Sequence, residues 1–105
     1  MNHLQTNVGL YFDKAMQIEQ TDKIKALYYY GLAYKAQKEA AEIEQNKSVK
    51  AILLLSAACL AIRLMLFKDA AELAQQALQY NPPTEIAKQL KDTVDYAKKF
   101  LDTND

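Results

Sequence analysis

Few residues in this chain could do chemistry, and they are scattered. His3 is the sole histidine and Cys59 the sole cysteine. A metal site or a histidine-based catalyst needs companions at set distances. His3 stands near the chain start without them, where solvent exposure is expected. Cys59 lies inside the run AILLLSAACLAIRLMLF. A thiol becomes reactive beside a base or a positive charge. Arg63, one helical turn on, would lower the Cys59 pKa, but the small apolar neighbours suit a buried structural thiol, which is the expectation. Glu39, Glu42 and Glu44 could suggest a metal, yet the histidines of a bundle di-metal site are missing. Lys35 with Glu39 and Lys38 with Glu42, each at i,i+4, read as a solvated, ion-paired face. The two glycines, Gly9 and Gly31, stand far apart, so no phosphate-cradling loop exists. No catalytic group, metal or cofactor is expected.

Tyr28-Tyr29-Tyr30 carries a different message. Successive helical residues point about 100° apart, so three tyrosines cannot share one core. If Tyr30 packs inward, Tyr28 or Tyr29 must be partly exposed. Exposed tyrosine is enriched at protein interfaces, which makes Tyr28 and Tyr29 candidates for partner binding. The plainer alternative is a ring covering a helix edge with its hydroxyl in water.

Any such residues must be positioned by helices. The chain has 105 residues, room for one domain, with two glycines and two prolines. Turn-rich all-β folds need many more of both. Lys plus Arg and Asp plus Glu number 13 each. They are interspersed, as on solvated helix faces, and no basic patch for phosphates is visible, so nucleic acid is not an expected partner. One cysteine cannot form an internal disulfide, and the start shows no charged segment followed by an apolar one. A reducing, cytoplasmic setting is the expectation.

The 17-residue run Ala51 to Phe67 raises the membrane question. A spanning helix needs about 20 mostly apolar residues, and an Arg inside a shorter run is costly. Length and Arg63 argue for a helix contacted by protein on two sides, and no membrane partner is expected.

Five helices are read from periodicity and breakers. The first spans about Leu4 to Glu19, with Leu4, Val8, Tyr11, Ala15 and Ile18 as its stripe. Thr21 or Asp22 caps the second, about Lys23 to Gln45, where Ala26, Tyr30 and Ala33 share a face. Ser48 caps the third, about Val49 to Leu64. The fourth runs from about Lys68 to Tyr80 and is stopped by Asn81-Pro82-Pro83. The fifth spans about Thr84 to Leu101, with Ile86, Leu90, Val94, Ala97 and Leu101 as its stripe. The end, DTND, is expected to fray. RLMLFKD holds no Gly or Pro, so one continuous helix from Ser48 to Tyr80 is an alternative to separate third and fourth helices.

The segment LLLSAACLAIRLMLFKDAAELAQQALQYNPP resembles a tetratricopeptide (TPR) repeat, a helix pair of about 34 residues. Pro82 matches its closing proline, Ala70 and Ala77 its two alanines and Phe67 its aromatic. Met65 and Leu66 stand where the family has a Gly-Asp-like turn. TDKIKALYYYGLA is similar to the family's second helix, with Ala26 and Ala33 on the alanines and Tyr30 on the aromatic. The resemblance implies an all-α, right-handed stack of about five antiparallel helices: two TPR-like hairpins plus a closing C-terminal helix. The trafficking-type three-helix bundle called the MIT domain also resembles this arrangement. Alanines at 57, 58, 61, 70 and 77 permit helix axes to approach near the lower end of about 8–10 Å.

By this resemblance Ile52, Leu55, Cys59, Ile62 and Arg63 lie on a concave, partner-binding surface, where Arg63 could pair with a partner carboxylate. The alternatives for Arg63 are an internal ion pair, to Glu19 or Asp69, or a charged head on a buried stem. The function expected is non-catalytic protein–protein interaction, as an adaptor or assembly subunit binding a protein or peptide. Its rivals are a homodimer built on the apolar 51–67 segment, with Leu64, Met65, Leu66 and Phe67 as the seam, and a membrane-associated protein using Leu53 to Phe67.

Overall fold

Side-chain caps and backbone geometry divide the chain into five helices. A computed structural model describes residues 3–103, and the side chains of 8–101. The helices are α1 (His3–Ile18), α2 (Lys23–Ile43), α3 (Lys47–Arg63), α4 (Phe67–Leu78) and α5 (Thr84–Thr103). No strand occurs among the described residues, and the fold is all-α. The side chains of His3 and Leu4, and Asn104 and Asp105, lie outside the described residues. Asp102 and Thr103 belong to α5, where fraying was expected.

Asp22 caps α2, its Oδ1 accepting from Lys25 N at 3.0 Å. The cap of α3 is Asn46 rather than Ser48. Its Oδ1 accepts from Val49 N at 3.1 Å, so α3 begins two residues before the expected Val49. Asparagine caps as well as serine does, and Asn46 is itself held by Glu44 Oε1, which accepts from its N–H at 3.1 Å.

Helices α3 and α4 are separate. Leu66 N donates to Ala61 O at 2.8 Å and Met65 N to Ile62 O at 3.0 Å. These two bonds form the wrapped C-terminus that usually has glycine at its left-handed position. Here Met65 holds that position, with φ 62°. The corner therefore forms without a breaker residue, because it turns the alanine face of α4 back onto that of α3. Asn81 is the second left-handed residue, φ 52°, and Pro82-Pro83 follow it into α5.

α1 packs on α2, α2 on α3, α3 on α4 and α5, and α4 on α5. The envelope is 41 × 39 × 19 Å, about two helix diameters thick. α3 thus touches three helices, α2, α4 and α5, whereas α1 touches α2 alone by backbone contact. Alanine supplies most of the buried apolar positions, including Ala57, Ala58, Ala61, Ala70 and Ala77, all fully enclosed. α3 is central, burying Leu53, Leu54, Leu55 and Leu60. No helix among the described residues is long and apolar enough to cross a membrane.

Candidate functional site

α1 and α3 both pack on α2, and their backbones do not approach each other. The space between them is a groove of about 660 Å³. Val8, Gly9 and Phe12 of α1 form one wall. Ile52, Ser56, Cys59 and Arg63 of α3 form the other, spaced i, i+4, i+7, i+11 on one helix face. Gln37 of α2 and Gln89 of α5 contribute to the lining.

Arg63 closes one end. Its Nη1 donates to Tyr30 Oη at 3.2 Å, and Tyr30 in turn donates to Glu19 Oε2 at 3.4 Å. The guanidinium carbon lies 5.1 Å from the centroid of the Tyr30 ring and 5.4 Å from that of Phe12. The two rings meet edge-on at 5.7 Å. The ion pair of Arg63 with Glu19 is long, 3.9 Å, and about half exposed on both sides. The internal-pair alternative for Arg63 is thus realised with Glu19, not Asp69. Burial pushes the Tyr30 hydroxyl above its ordinary pKa; Arg63 opposes that shift and Glu19 adds to it.

The buried thiol expected at Cys59 is corrected. Cys59 is exposed and lines the groove, because no helix covers this strip of α3. Partial burial still raises its pKa, with Arg63 acting the other way, so near pH 7 it stays a thiol and not a thiolate. Cys59 and Arg63 also border a second depression of about 460 Å³ against α5, with Ile62, Asp92, Thr93 and Tyr96. They therefore form a ridge between two hollows.

The expected binding residues divide into groups. Ile52 and Arg63 reach the groove and remain accessible, Ile52 at 42%. Leu55 lines it from a buried position. Ile62 faces the α5 hollow. Tyr28 and Tyr29 are elsewhere, on α2. Tyr30 is enclosed, Tyr28 is 63% exposed, and Tyr29 packs partly against the core. Their rings meet edge-on at 5.5 Å.

Val8, Phe12 and Gln37 were not expected at the site. Gln37 had a signal: it falls on the spacing Ala26, Tyr30, Ala33, Gln37, Ala40, Ala41, a polar residue on the buried face of α2.

No protein-family model, curated protein or solved structure matches this chain. What the groove can bind follows from its own atoms. Among the described residues its lining is mainly apolar, with one charge, Arg63, and neutral polar groups from Gln37, Ser56 and Gln89. Among the described residues no group of three His, Cys, Asp or Glu side chains is placed to hold a metal ion. The arrangement suits reversible, non-covalent binding: apolar contact along the trough and one cationic anchor.

Proposed function

We propose that this chain is a TPR-like protein-interaction module, an adaptor or assembly subunit, that takes a segment of a partner protein in the groove between α1 and α3. The observation that carries the reading is the groove itself. It is open, mainly apolar, walled by the first helices of two successive hairpins, and has an accessible Ile52 and a half-exposed Arg63. Apolar surface left open beside a polar anchor marks binding surfaces. A reducing, cytoplasmic setting suits its single unpaired thiol.

The test is affinity capture with wild type, Ile52→Lys, Arg63→Ala and Tyr28→Ala, each checked by circular dichroism. A partner lost with Ile52→Lys and weakened by Arg63→Ala, but kept by Tyr28→Ala, supports groove docking. Partners indifferent to both groove changes sink it.

Self-association has observations of its own. Ile24, Leu27 and Tyr28 are exposed at i, i+3, i+4 on α2, and Met65 and Leu66 are exposed at the α3–α4 corner. Leu64 and Phe67, the other members of the expected seam, pack partly on the chain's own core. Light scattering decides it: a dimer that Leu66→Lys or Tyr28→Lys dissociates would replace the groove reading.

A further inference from the structure

Arg63 is the sole arginine of the chain, and its side chain is 44% exposed. An arginine that open ordinarily samples many rotamers, and binding loses affinity to the cost of fixing one of them. Here the guanidinium is held before anything binds. Its Nη1 donates to Tyr30 Oη at 3.2 Å. Tyr30 is enclosed, 2% exposed, so packing keeps its ring in place. The hydroxyl proton of Tyr30 goes to Glu19 Oε2 at 3.4 Å, which leaves the oxygen lone pairs to Arg63. Glu19 thus sets the direction of the Tyr30 hydroxyl, and Tyr30 sets the position of Nη1.

Two rings hold the rest of the group. The guanidinium carbon lies 5.1 Å from the Tyr30 centroid and 5.4 Å from that of Phe12, both inside the range of about 6 Å over which a cation is attracted to a ring. The rings are 5.7 Å apart and inclined at 66°. The three centres therefore form a near-equilateral triangle, with the guanidinium in the corner between two aromatic walls.

The corner is assembled from three helices: Phe12 on α1, Tyr30 on α2 and Arg63 on α3. The hydrogen bond to Tyr30 and the long ion pair to Glu19 both use Nη1. Among the described residues, Nε and Nη2 of Arg63 have no partner. They are the donors left for whatever enters the groove, and their direction is fixed by the end that is already tied.

We infer that Tyr30 is a positioning residue of the groove: from inside the core, with the Phe12 ring completing the corner, it holds the Arg63 guanidinium in one orientation and so prepares the anchor for binding. This rests on the groove reading above. It adds a residue that acts on the occupant only through Arg63.

With one arginine in the chain, its guanidinium signals in nitrogen NMR need no assignment. Nη1 and Nη2 should give separate resonances in the cooled wild type, and Tyr30→Phe or Phe12→Leu, each with unchanged circular dichroism, should merge them. Signals merged in the wild type, or still separate in Tyr30→Phe, overturn the inference. Displayed short linear peptides, selected on the full chain, provide the binding probe. Ile52→Lys should weaken the strongest binder about tenfold, and Arg63→Met should weaken it too. Tyr30→Phe should weaken it about three- to tenfold in the wild type and almost not at all on Arg63→Met. A merely structural loss would act in both backgrounds. Arg63→Lys, whose ammonium has neither the planar face nor the second donor, should match Arg63→Met. A Tyr30→Phe penalty that persists on Arg63→Met, or Ile52-dependent binders indifferent to Arg63→Met, overturn this inference and leave groove docking intact. A selection without any Ile52-dependent binder overturns both.

Discussion

Tyr34 Oη on α2 donates to Asp69 Oδ2 on α4 at 3.5 Å, joining two helices whose backbones do not otherwise pack on each other. Lys38 Nζ sits 5.2 Å from the centroid of the same ring. Burial, then the Asp69 charge and hydrogen bond, push the Tyr34 hydroxyl from its ordinary 10.0 up to about 12. The folded chain holds this proton more tightly than the unfolded chain. The stability it contributes is therefore complete below pH 10 and is lost as pH rises from there through about 12. Urea midpoints should stay level up to about pH 10 and then fall, and Tyr34→Phe should reduce the fall. In a tyrosinate absorbance titration Tyr30 and Tyr34 should ionise above the ordinary tyrosine value of 10.0.

The contacts around Arg63 are unequal. Tyr30→Phe removes the hydroxyl between Arg63 and Glu19 and should cost about 1 kcal/mol in urea unfolding. Glu19→Gln removes a long, half-exposed ion pair and should cost about 0.5 kcal/mol or less. A larger loss from Glu19→Gln than from Tyr30→Phe would reverse this order.

Met65 occupies a backbone position that disfavours any side chain. It is 73% exposed, so its side chain buries little. Met65→Gly should raise stability by about 1 kcal/mol, the left-handed strain outweighing the greater freedom glycine has when unfolded. Met65→Val should lower it. Thermal midpoints of the two variants moving in opposite directions is the check.

Ala58 is fully enclosed between helices. Ala58→Leu adds volume with nowhere to go and should cost about 1–3 kcal/mol. Ala36, at the edge of the buried face with 8% exposure, should accept serine for about 1 kcal/mol or less. Equal tolerance at both sites in chemical denaturation would contradict alanine-spaced packing.

Cys59 is exposed with a raised pKa. A maleimide should label it completely in the folded chain without denaturant, more slowly than it labels the unfolded chain at the same pH. Labelling that occurs only after unfolding would return the thiol to the core.

Much of this architecture was legible in the sequence because it is local. Few glycines and prolines, strong helix formers and apolar residues at three- and four-residue spacing place α1, α2, α4 and α5 nearly where they lie. Asp22 and Pro82-Pro83 mark boundaries through hydrogen bonds and ring sterics that involve only near neighbours. The buried alanines were readable for the same reason, since they repeat at helical spacing. The α3–α4 corner was left open by RLMLFKD, which contains no residue that must turn. Ser48 was preferred to Asn46 although either can cap.

The exposed strip of α3 was beyond the sequence. Its residues are apolar almost all round, so periodicity could not say that Ile52, Ser56, Cys59 and Arg63 share the uncovered side. That side is set by where α1 stops short of α3, which depends on how both pack on α2. Burial of Gln37, whose Nε2 reaches Leu53 O on the next helix, is likewise a product of helices meeting. Sequence alone determined that this chain is helical and roughly where each helix begins, because those preferences act between residues a few positions apart. Tertiary structure alone decided which surface stays open and which polar atoms face it, because those follow from contacts between residues distant in the chain.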